Sequence, residues 1–183
     1  MSDDPPNELA ARLARGEEAA FAALYDACAE RLHQYLTAWT GSRDLASDVL
    51  QSAFLRVVKN RRRFRRVENP VAYVFRVARN EAVRAVASRR RWWRRNSAAG
   101  DSALPPTLRA SEHLFDGNDD AELVAAALAR LANEDREIVE LKVFGGLTFR
   151  EVAEVVERPA ATVATRYRRA LESLRPWVTK QLK

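Results

Sequence analysis

"TFREVAEVVERPAATVATRYRRALESL", residues 148–174, decides how the chain is to be read. Thr148 and Glu151 stand three apart ahead of an apolar run, the spacing of a capping box. In that device the Thr hydroxyl accepts the Glu N–H while the Glu carboxylate reaches back to the Thr N–H. Val152, Val155 and Val156 then fall on one side of a short helix. That helix must stop before Pro159, whose ring disfavours helical geometry in the preceding residue and suits the first position of a new helix. Two helices joined by a turn of about four residues have helix-turn-helix spacing. On the second helix Val163, Tyr167, Ala170, Leu171 and Leu174 share one side. The other side carries Ala161, Thr165, Arg168, Arg169 and Glu172, flanked by Thr162 and Arg166. Small residues let a backbone approach a groove, and Thr and Arg reach phosphates or base edges. A plain hairpin that completes a core explains the apolar side equally well. It leaves three arginines within residues 166–169 without a reason. The pattern reads as a recognition helix.

Outward from this stretch, charge is distributed in blocks. Of 183 residues, 31 are basic and 25 acidic, a net of +6. Residues 1–55 carry −5, 56–95 carry +13, 101–157 carry −8 and 158–183 carry +6. Two basic blocks beside acidic ones suggest two contacts with a polyanion, and others with protein. The same alternation suggests that the free chain folds back on itself and masks its basic surfaces.

Helical spacing recurs along the whole chain and no long period-two alternation does. Residues 17–40 carry a broad apolar stripe that ends at Gly41. A helix over about 44–59 has Leu45, Val49, Leu50, Ala53, Phe54 and Val57 on one side. Its other side holds Asp48, Gln51, Leu55 and Val58, where apolar side chains beside an acid and an amide suit protein docking. Asn69-Pro70 opens a third helix as N-cap and first position. Val74, Phe75, Ala78 and Ala82 form its core side. Tyr73, Val77, Asn80 and Arg84, with Arg76 beside them, form the side expected to be exposed. An aromatic ring among amides and arginines suits a single nucleic-acid strand, bases stacking while cations follow phosphates. The basic loop "KNRRRFRR" (59–66) precedes this helix and "RRRWWRR" (89–95) follows it. Trp92 and Trp93 suit docking onto the bundle as well as DNA contact. From Asn96 to about Asp120 periodicity dissolves into a segment read as a flexible acidic linker. Helices resume over 121–131 and 135–144.

These residues resemble a known family. "DVLQSAFLRVV" (48–58), "NPVAYVFRVARNEAV" (69–83), a linker, and "GGLTFREVAEVVERPAATVATRYRRALESLR" (145–175) are similar in order and content to the extracytoplasmic-function sigma factors, the small members of the sigma-70 family. The resemblance implies an all-α chain of two small helical domains, region 2 over 9–95 and region 4 over 120–183, joined by a linker over 96–119. It implies a non-enzymatic subunit that brings core RNA polymerase to promoters. Asp48, Gln51, Phe54 and Leu55 match the family's polymerase-docking helix. Tyr73, Arg76, Arg79 and Asn80 match the segment that captures the single strand of the −10 element, with Arg63, Arg65 and Arg84 as neighbouring cations. Thr162, Thr165, Arg166, Arg168 and Arg169 match the helix that binds the duplex −35 element. Many relatives are held inactive by an anti-sigma factor. Departures exist: Glu157 stands where the family has Gly in the turn, Arg158 where it has an apolar residue, Ala164 where Lys or Arg is frequent, and Tyr73 where Trp is common. A glutamate in a left-handed turn position carries a conformational cost.

Other classes fit less well. A stand-alone helix-turn-helix regulator of duplex DNA explains 148–175 but leaves the docking stripe and the basic helix idle. No phosphate-cradling G-x-x-x-x-G-K-[ST] loop occurs, and His33 and His113 lie apart from any nucleophile, so no enzyme, metal or cofactor is expected. Cys28, the single cysteine, excludes an internal disulfide framework. No run approaches the ~20 apolar residues of a membrane span, and residues 1–18 hold no apolar signal core, so membrane insertion is not expected and a cytoplasmic protein is.

Overall fold

The computed structural model describes residues 6–96 and 119–181, all-α, with no strand among them. The expected linker lies outside the described residues except at its ends. Among the described residues eight α-helices occur in this order: α1 (Pro6–Arg15), α2 (Glu18–Thr40), α3 (Arg43–Lys59), α4 (Pro70–Asn96), α5 (Asp119–Leu128), α6 (Asn133–Val143), α7 (Phe149–Val156) and α8 (Ala160–Gln181). Between α3 and α4, residues Arg61–Arg66 form a 3-10 helix rather than the basic loop read from sequence.

Local chemistry sets the ends of these helices. Gly41 adopts φ 68°, and its N–H donates to the Thr37 carbonyl at 2.9 Å, closing α2. Ser42 Oγ accepts the Leu45 N–H at 3.3 Å and opens α3. Asn69 Oδ1 accepts the Ala72 N–H at 3.0 Å, so Asn69 caps α4 as its sequence position suggested. The capping box of α7 is complete: the Glu151 N–H donates to Thr148 Oγ1 at 3.3 Å and the Thr148 N–H donates to Glu151 Oε2 at 2.7 Å. Each such cap satisfies helix-end groups that would otherwise lack partners, a carbonyl at the end of α2 and N–H groups at the starts of α3, α4 and α7.

Leu13 of α1, Leu24, Leu32, Tyr35 and Leu36 of α2, Val49 and Val57 of α3, and Val74 and Phe75 of α4 form the core of the N-terminal helices, all essentially out of solvent. Phe64 of the 3-10 helix plugs one end, its ring 6.3 Å from Phe21 and 5.2 Å from Tyr73. Cys28 is also buried here, its Sγ–H donating to the Leu24 carbonyl at 3.0 Å, and burial pushes the thiol up to about 12. The core does not end at α4. Ile138, Leu141, Leu147, Val152, Val155 and Val163 from α6, α7, α8 and their connections belong to the same cluster. Leu128, Val139 and Ala170 make a small second cluster under Leu131 and Tyr167. The two helical regions therefore pack against each other.

Polar links cross the same seam. Arg79 of α4 donates through Nε and Nη2 to the two oxygens of Glu137 of α6, at 2.6 and 2.9 Å. Tyr35 Oη donates to Glu137 Oε1 at 3.3 Å, and Asn69 Nδ2 to Glu151 Oε1 at 3.0 Å. Arg31 donates to the carbonyls of Gly145 and Gly146 at 3.3 and 3.4 Å, and Arg136 to that of Ala38 at 3.3 Å. A two-pronged guanidinium–carboxylate pair is among the strongest hydrogen-bonded contacts, and it fixes orientation as well as energy. A Cβ at Gly145 would lie 3.0 Å from Cε1 of Phe75 and 2.5 Å from the Leu141 carbonyl oxygen, so only glycine permits this close approach.

Candidate functional site

Three surfaces carry the residues singled out from sequence. On α3, Asp48, Gln51 and Leu55 are exposed, Leu55 at 65% of its reference area, and Val58 lies beside them. Phe54 is half-buried, its ring 4.9 Å from that of Tyr25 on α2. All of them line a groove of about 1350 Å³ between α2 and α3. Thr37, at the groove floor, keeps its Oγ1 buried with no hydrogen-bond partner within the protein. A large solvent-facing leucine among hydrogen-bonding side chains, above an open groove, is the anatomy of a protein-docking surface.

The second surface is a cleft of about 450 Å³ beside α4, where Arg63, Tyr73, Arg76, Asn80 and Arg84 converge. Arg56 and Asn60, not singled out from sequence, line it too. Helical spacing places Tyr73, Arg76, Asn80 and Arg84 on one side of α4, and the 3-10 helix folds Arg63 across them. The expectation of an exposed Tyr73 is corrected. Only 7% of its area is exposed, because Phe64 covers the ring edge-on from the 3-10 helix. The Arg76 guanidinium lies 5.6 Å from the centre of the same ring. Arg79 and Arg65 stand outside the cleft. Arg79 faces Glu137, whose hydrogen bonds raise its pKa above the ordinary arginine value, and Arg65 is exposed on the 3-10 helix.

The third surface is the exposed side of α8. Thr162, Thr165, Arg166 and Arg169 edge a hollow of about 560 Å³ with Ala161 and Asp135, and Arg168 lies outside it, 3.9 Å from Glu172. Val163, Ala170 and Leu174 turn inward as their spacing predicts, while Leu171, assigned to the same side, is 41% exposed. Arg166 is not idle: its Nε donates to Asp135 at 2.7 Å and its Nη1 to Glu134. Both acids sit in the first turn of α6, where carboxylates also suit the helix dipole. Glu134 receives Arg158 as well, at 3.4 Å. The arginine that replaces an apolar turn residue thus ties the turn to α6.

Glu157 occupies the turn between α7 and α8 at φ 56° and ψ 47°, the only non-glycine residue with positive φ among those described. Its carboxylate lies 3.7 Å from Arg76 and lines the α4 cleft. Sequence reading flagged Glu157 for its backbone and missed its reach. Glu137 was missed too, since 58 residues separate it from Arg79. The one available signal was the acidic block over 101–157 facing the basic block over 56–95.

Among the described residues no group of three or more His, Cys, Asp or Glu could hold a metal ion, and no helix is long and apolar enough to cross a membrane.

Comparison with known proteins agrees with this arrangement. Residues 24–94 match the family model for sigma-70 region 2, and residues 121–174 the model for sigma-70 region 4. The chain is 27% identical over 173 residues to the ECF RNA polymerase sigma factor SigK of Mycobacterium ulcerans, covering 94% of this chain and 92% of that protein. It is 27% identical to the SigK of Mycolicibacterium vanbaalenii over 171 residues, 91% of this chain and 86% of that one. Among solved structures, CnrH in complex with the cytosolic domain of CnrY superposes with a TM-score of 0.67 at 22% identity, covering 97% of this chain and 99% of CnrH. The sigma factor RpoE of Bartonella quintana, solved with the anti-sigma factor NepR, gives a TM-score of 0.59 at 21% identity over 81% of this chain and 89% of that one. Both likenesses are of fold.

Proposed function

Because the chain belongs to the sigma-70 family, as an extracytoplasmic-function member with regions 2 and 4, we propose that its three surfaces divide the work of promoter recognition among named residues. The protein is an alternative sigma factor that binds core RNA polymerase and directs transcription initiation at promoters. In the proposed division Asp48, Gln51, Phe54 and Leu55 dock the polymerase. Arg63, Arg65, Tyr73, Arg76, Arg79, Asn80 and Arg84 take the single strand of the −10 element. Thr162, Thr165, Arg166, Arg168 and Arg169 take the −35 duplex. The observation that carries this reading is the open α2–α3 groove next to an arginine-lined cleft in one set of helices, with a separate recognition helix beyond them. A stand-alone regulator needs only the last of these.

Strand opening on such a surface is differential binding. Unstacking a base costs a few kcal/mol, and capture of the strand by the arginines of the cleft offsets it. Nucleotide hydrolysis has no part in it, and the protein contributes recognition rather than catalysis. The domain limits follow the same reading, 9–95 for region 2 and 120–183 for region 4. The work takes place beside the polymerase, in the cytoplasm. RpoE of Bartonella quintana was solved with an anti-sigma factor, and a partner of that class is proposed here too.

Run-off transcription with purified core polymerase tests the reading. Products that appear only with the protein, and vanish with Asp48→Ala or Leu55→Lys while the variants stay folded, are the expected result. Specific duplex fragments shifted by the protein alone, with no transcript in the presence of polymerase, would refute it.

A further inference from the structure

Arg166 is the most heavily engaged cation of α8. Its Nε donates to Asp135 at 2.7 Å and its Nη1 to Oε2 of Glu134, both acids lying in the first turn of α6. A guanidinium grips a base edge or a phosphate with two N–H groups side by side, Nε with Nη2 or Nη1 with Nη2. In Arg166 each of those pairs already has one nitrogen on a carboxylate. The other oxygen of Glu134 takes Arg158, from the turn that leads into α8, at 3.4 Å. Four charges therefore run without a break from Arg158 through Glu134 and Arg166 to Asp135. The neighbouring arginines differ. Arg169 is exposed in the same hollow and pairs with no carboxylate among the described residues, and Arg168 lies 3.9 Å from Glu172 with both side chains largely exposed.

Isolated exposed ion pairs contribute little, and only a network of several charges fixes a geometry. The helix dipole accounts for acids in the first turn of α6, but not for both of them turning to one arginine. Beneath this strap the apolar contact between α6 and α8 is thin: Val139 and Ala170, with Leu128 of α5, are its buried residues. Apolar contact is non-directional, so the tilt of one helix on the other is left to directional contacts. Two carboxylates beside a surface that meets a polyanion also weaken its binding unless they serve that surface in another way.

We propose that Arg166 serves the −35 element as a positioning residue: Glu134 and Asp135 hold it so that it sets the tilt of α8 on α6, and contacts to base edges and phosphates fall to Thr162, Thr165, Arg168 and Arg169. This role rests on the assignment of α8 to the −35 duplex and narrows the share of Arg166 within it. Two determinants of −35 recognition then lie on α6, outside the helix-turn-helix, and Arg158 joins the same strap. Side chains reach base edges only when the helix lies at the right depth and angle in the major groove, and a change of tilt moves Thr162, Thr165 and Arg169 together. The sign is opposite to that of plain electrostatics. Neutralising two carboxylates near DNA ordinarily tightens binding, whereas here it loosens the strap and weakens binding.

The test uses holoenzyme, core polymerase carrying the full chain, and short duplexes that the wild-type holoenzyme enriches from a pool randomised across the −35 position. Fluorescence polarisation of the end-labelled duplex compares the wild type with Arg166→Met, Arg166→Lys, Glu134→Gln with Asp135→Asn, that pair combined with Arg166→Met, and Arg169→Ala. Each protein is also measured on duplexes changed at one base pair at a time. Arg166→Met and the amide pair should each bind about tenfold more weakly, roughly the worth of one base-pair contact, with no further loss on combining them. Arg166→Lys should not recover binding, because an ammonium keeps the charge without the fork that spans two carboxylates. Preference should be blunted at every base pair for these variants, whereas Arg169→Ala should relax it at one or lower the salt slope by about 1. Tighter binding by the amide pair, or recovery with Arg166→Lys, overturns the positioning role and returns Arg166 to direct contact. Both readouts stand even if Arg166→Met folds poorly. A pool that shows no enrichment, or binding indifferent to Arg169→Ala and to Thr165→Val, overturns the −35 assignment and the positioning role with it.

Discussion

Replacing Glu157 by glycine and by alanine separates two roles of one residue. Glu157 ends α7 at φ 56°, with its N–H on the Ala153 carbonyl and the Arg158 N–H on the same oxygen at 3.1 Å. For an L-residue the left-handed conformation costs roughly 1–2 kcal/mol. Glycine removes that cost and returns about 0.5–1 kcal/mol of it through its freedom in the unfolded chain. Either change also deletes the 3.7 Å contact with Arg76, in which both side chains are more than a third exposed, at 40% and 74%. Screened by solvent, that contact contributes at most about 0.5 kcal/mol. Alanine loses the contact and keeps the strain, so it should be less stable than the wild type by about 0.5 kcal/mol or less. Glycine should exceed alanine by about 1 kcal/mol. In a chain of this size that difference is about 2–4 °C in Tm. Urea unfolding followed by far-ultraviolet circular dichroism, with all three proteins at one salt concentration, measures it. An alanine variant as stable as the glycine variant would show that the turn is unstrained, and the reasoning would fail.

Other expectations follow from particular contacts. Thr148→Ala removes the hydroxyl that accepts the Glu151 N–H and should lower stability by about 1 kcal/mol in the same assay. Phe75→Ala empties a fully buried site shared by both sets of helices and should cost about 3–5 kcal/mol, lowering the urea midpoint of the whole chain rather than of one half. Glu140 is 1% exposed, and burial pushes its carboxyl up to about 7 against the pull of Arg136 at 2.6 Å. Since its folded pKa lies above the unfolded one, the native state holds the extra proton, and stability falls as pH rises from about 4.5 to about 7. Glu140→Gln should therefore gain on the wild type across that window by up to about 3 kcal/mol, on top of a constant offset for giving the Arg136 Nε–H an amide oxygen in place of a carboxyl oxygen. Parallel stability curves for the two proteins would contradict this.

Features set by neighbours a few residues away were legible in the sequence. The Thr148 capping box, the Asn69 cap ahead of Pro70, the exposed Leu55 and the inward Val163 and Leu174 all stand as their spacing predicts, because one helical turn decides each. Tyr73 shows where that logic stops. A helical wheel puts it opposite Phe75's side, yet Phe64, nine positions upstream on a 3-10 helix no periodicity announces, covers it. Helix α1 was missed for a related reason: only Leu9 and Leu13 mark its apolar side, too few repeats to count as a period. The contact between the two halves was legible only as a direction. Alternating charge blocks predicted that the chain folds back, but the pairing of Arg79 with Glu137, and the apolar seam beneath it, depends on positions far apart in sequence. The residues proposed to face polymerase and DNA were singled out by type, spacing and the family resemblance. The carboxylates that meet them were not, since an acid in the first turn of a helix already has a sufficient local reason to be there.

Cys28 gives this protein an internal clock. Its thiol is buried and held far above neutrality, so an alkylating reagent near pH 8 finds almost no thiolate while α2 stays packed. Once the surrounding helices part, the same sulfur becomes an ordinary reactive thiol. Because it is the sole cysteine in the chain, each molecule takes up at most one label, and the labelled fraction reports how many molecules have opened at least once. The labelling rate, measured with polymerase, DNA or neither, then reads how often the N-terminal core breathes, with no probe attached in advance.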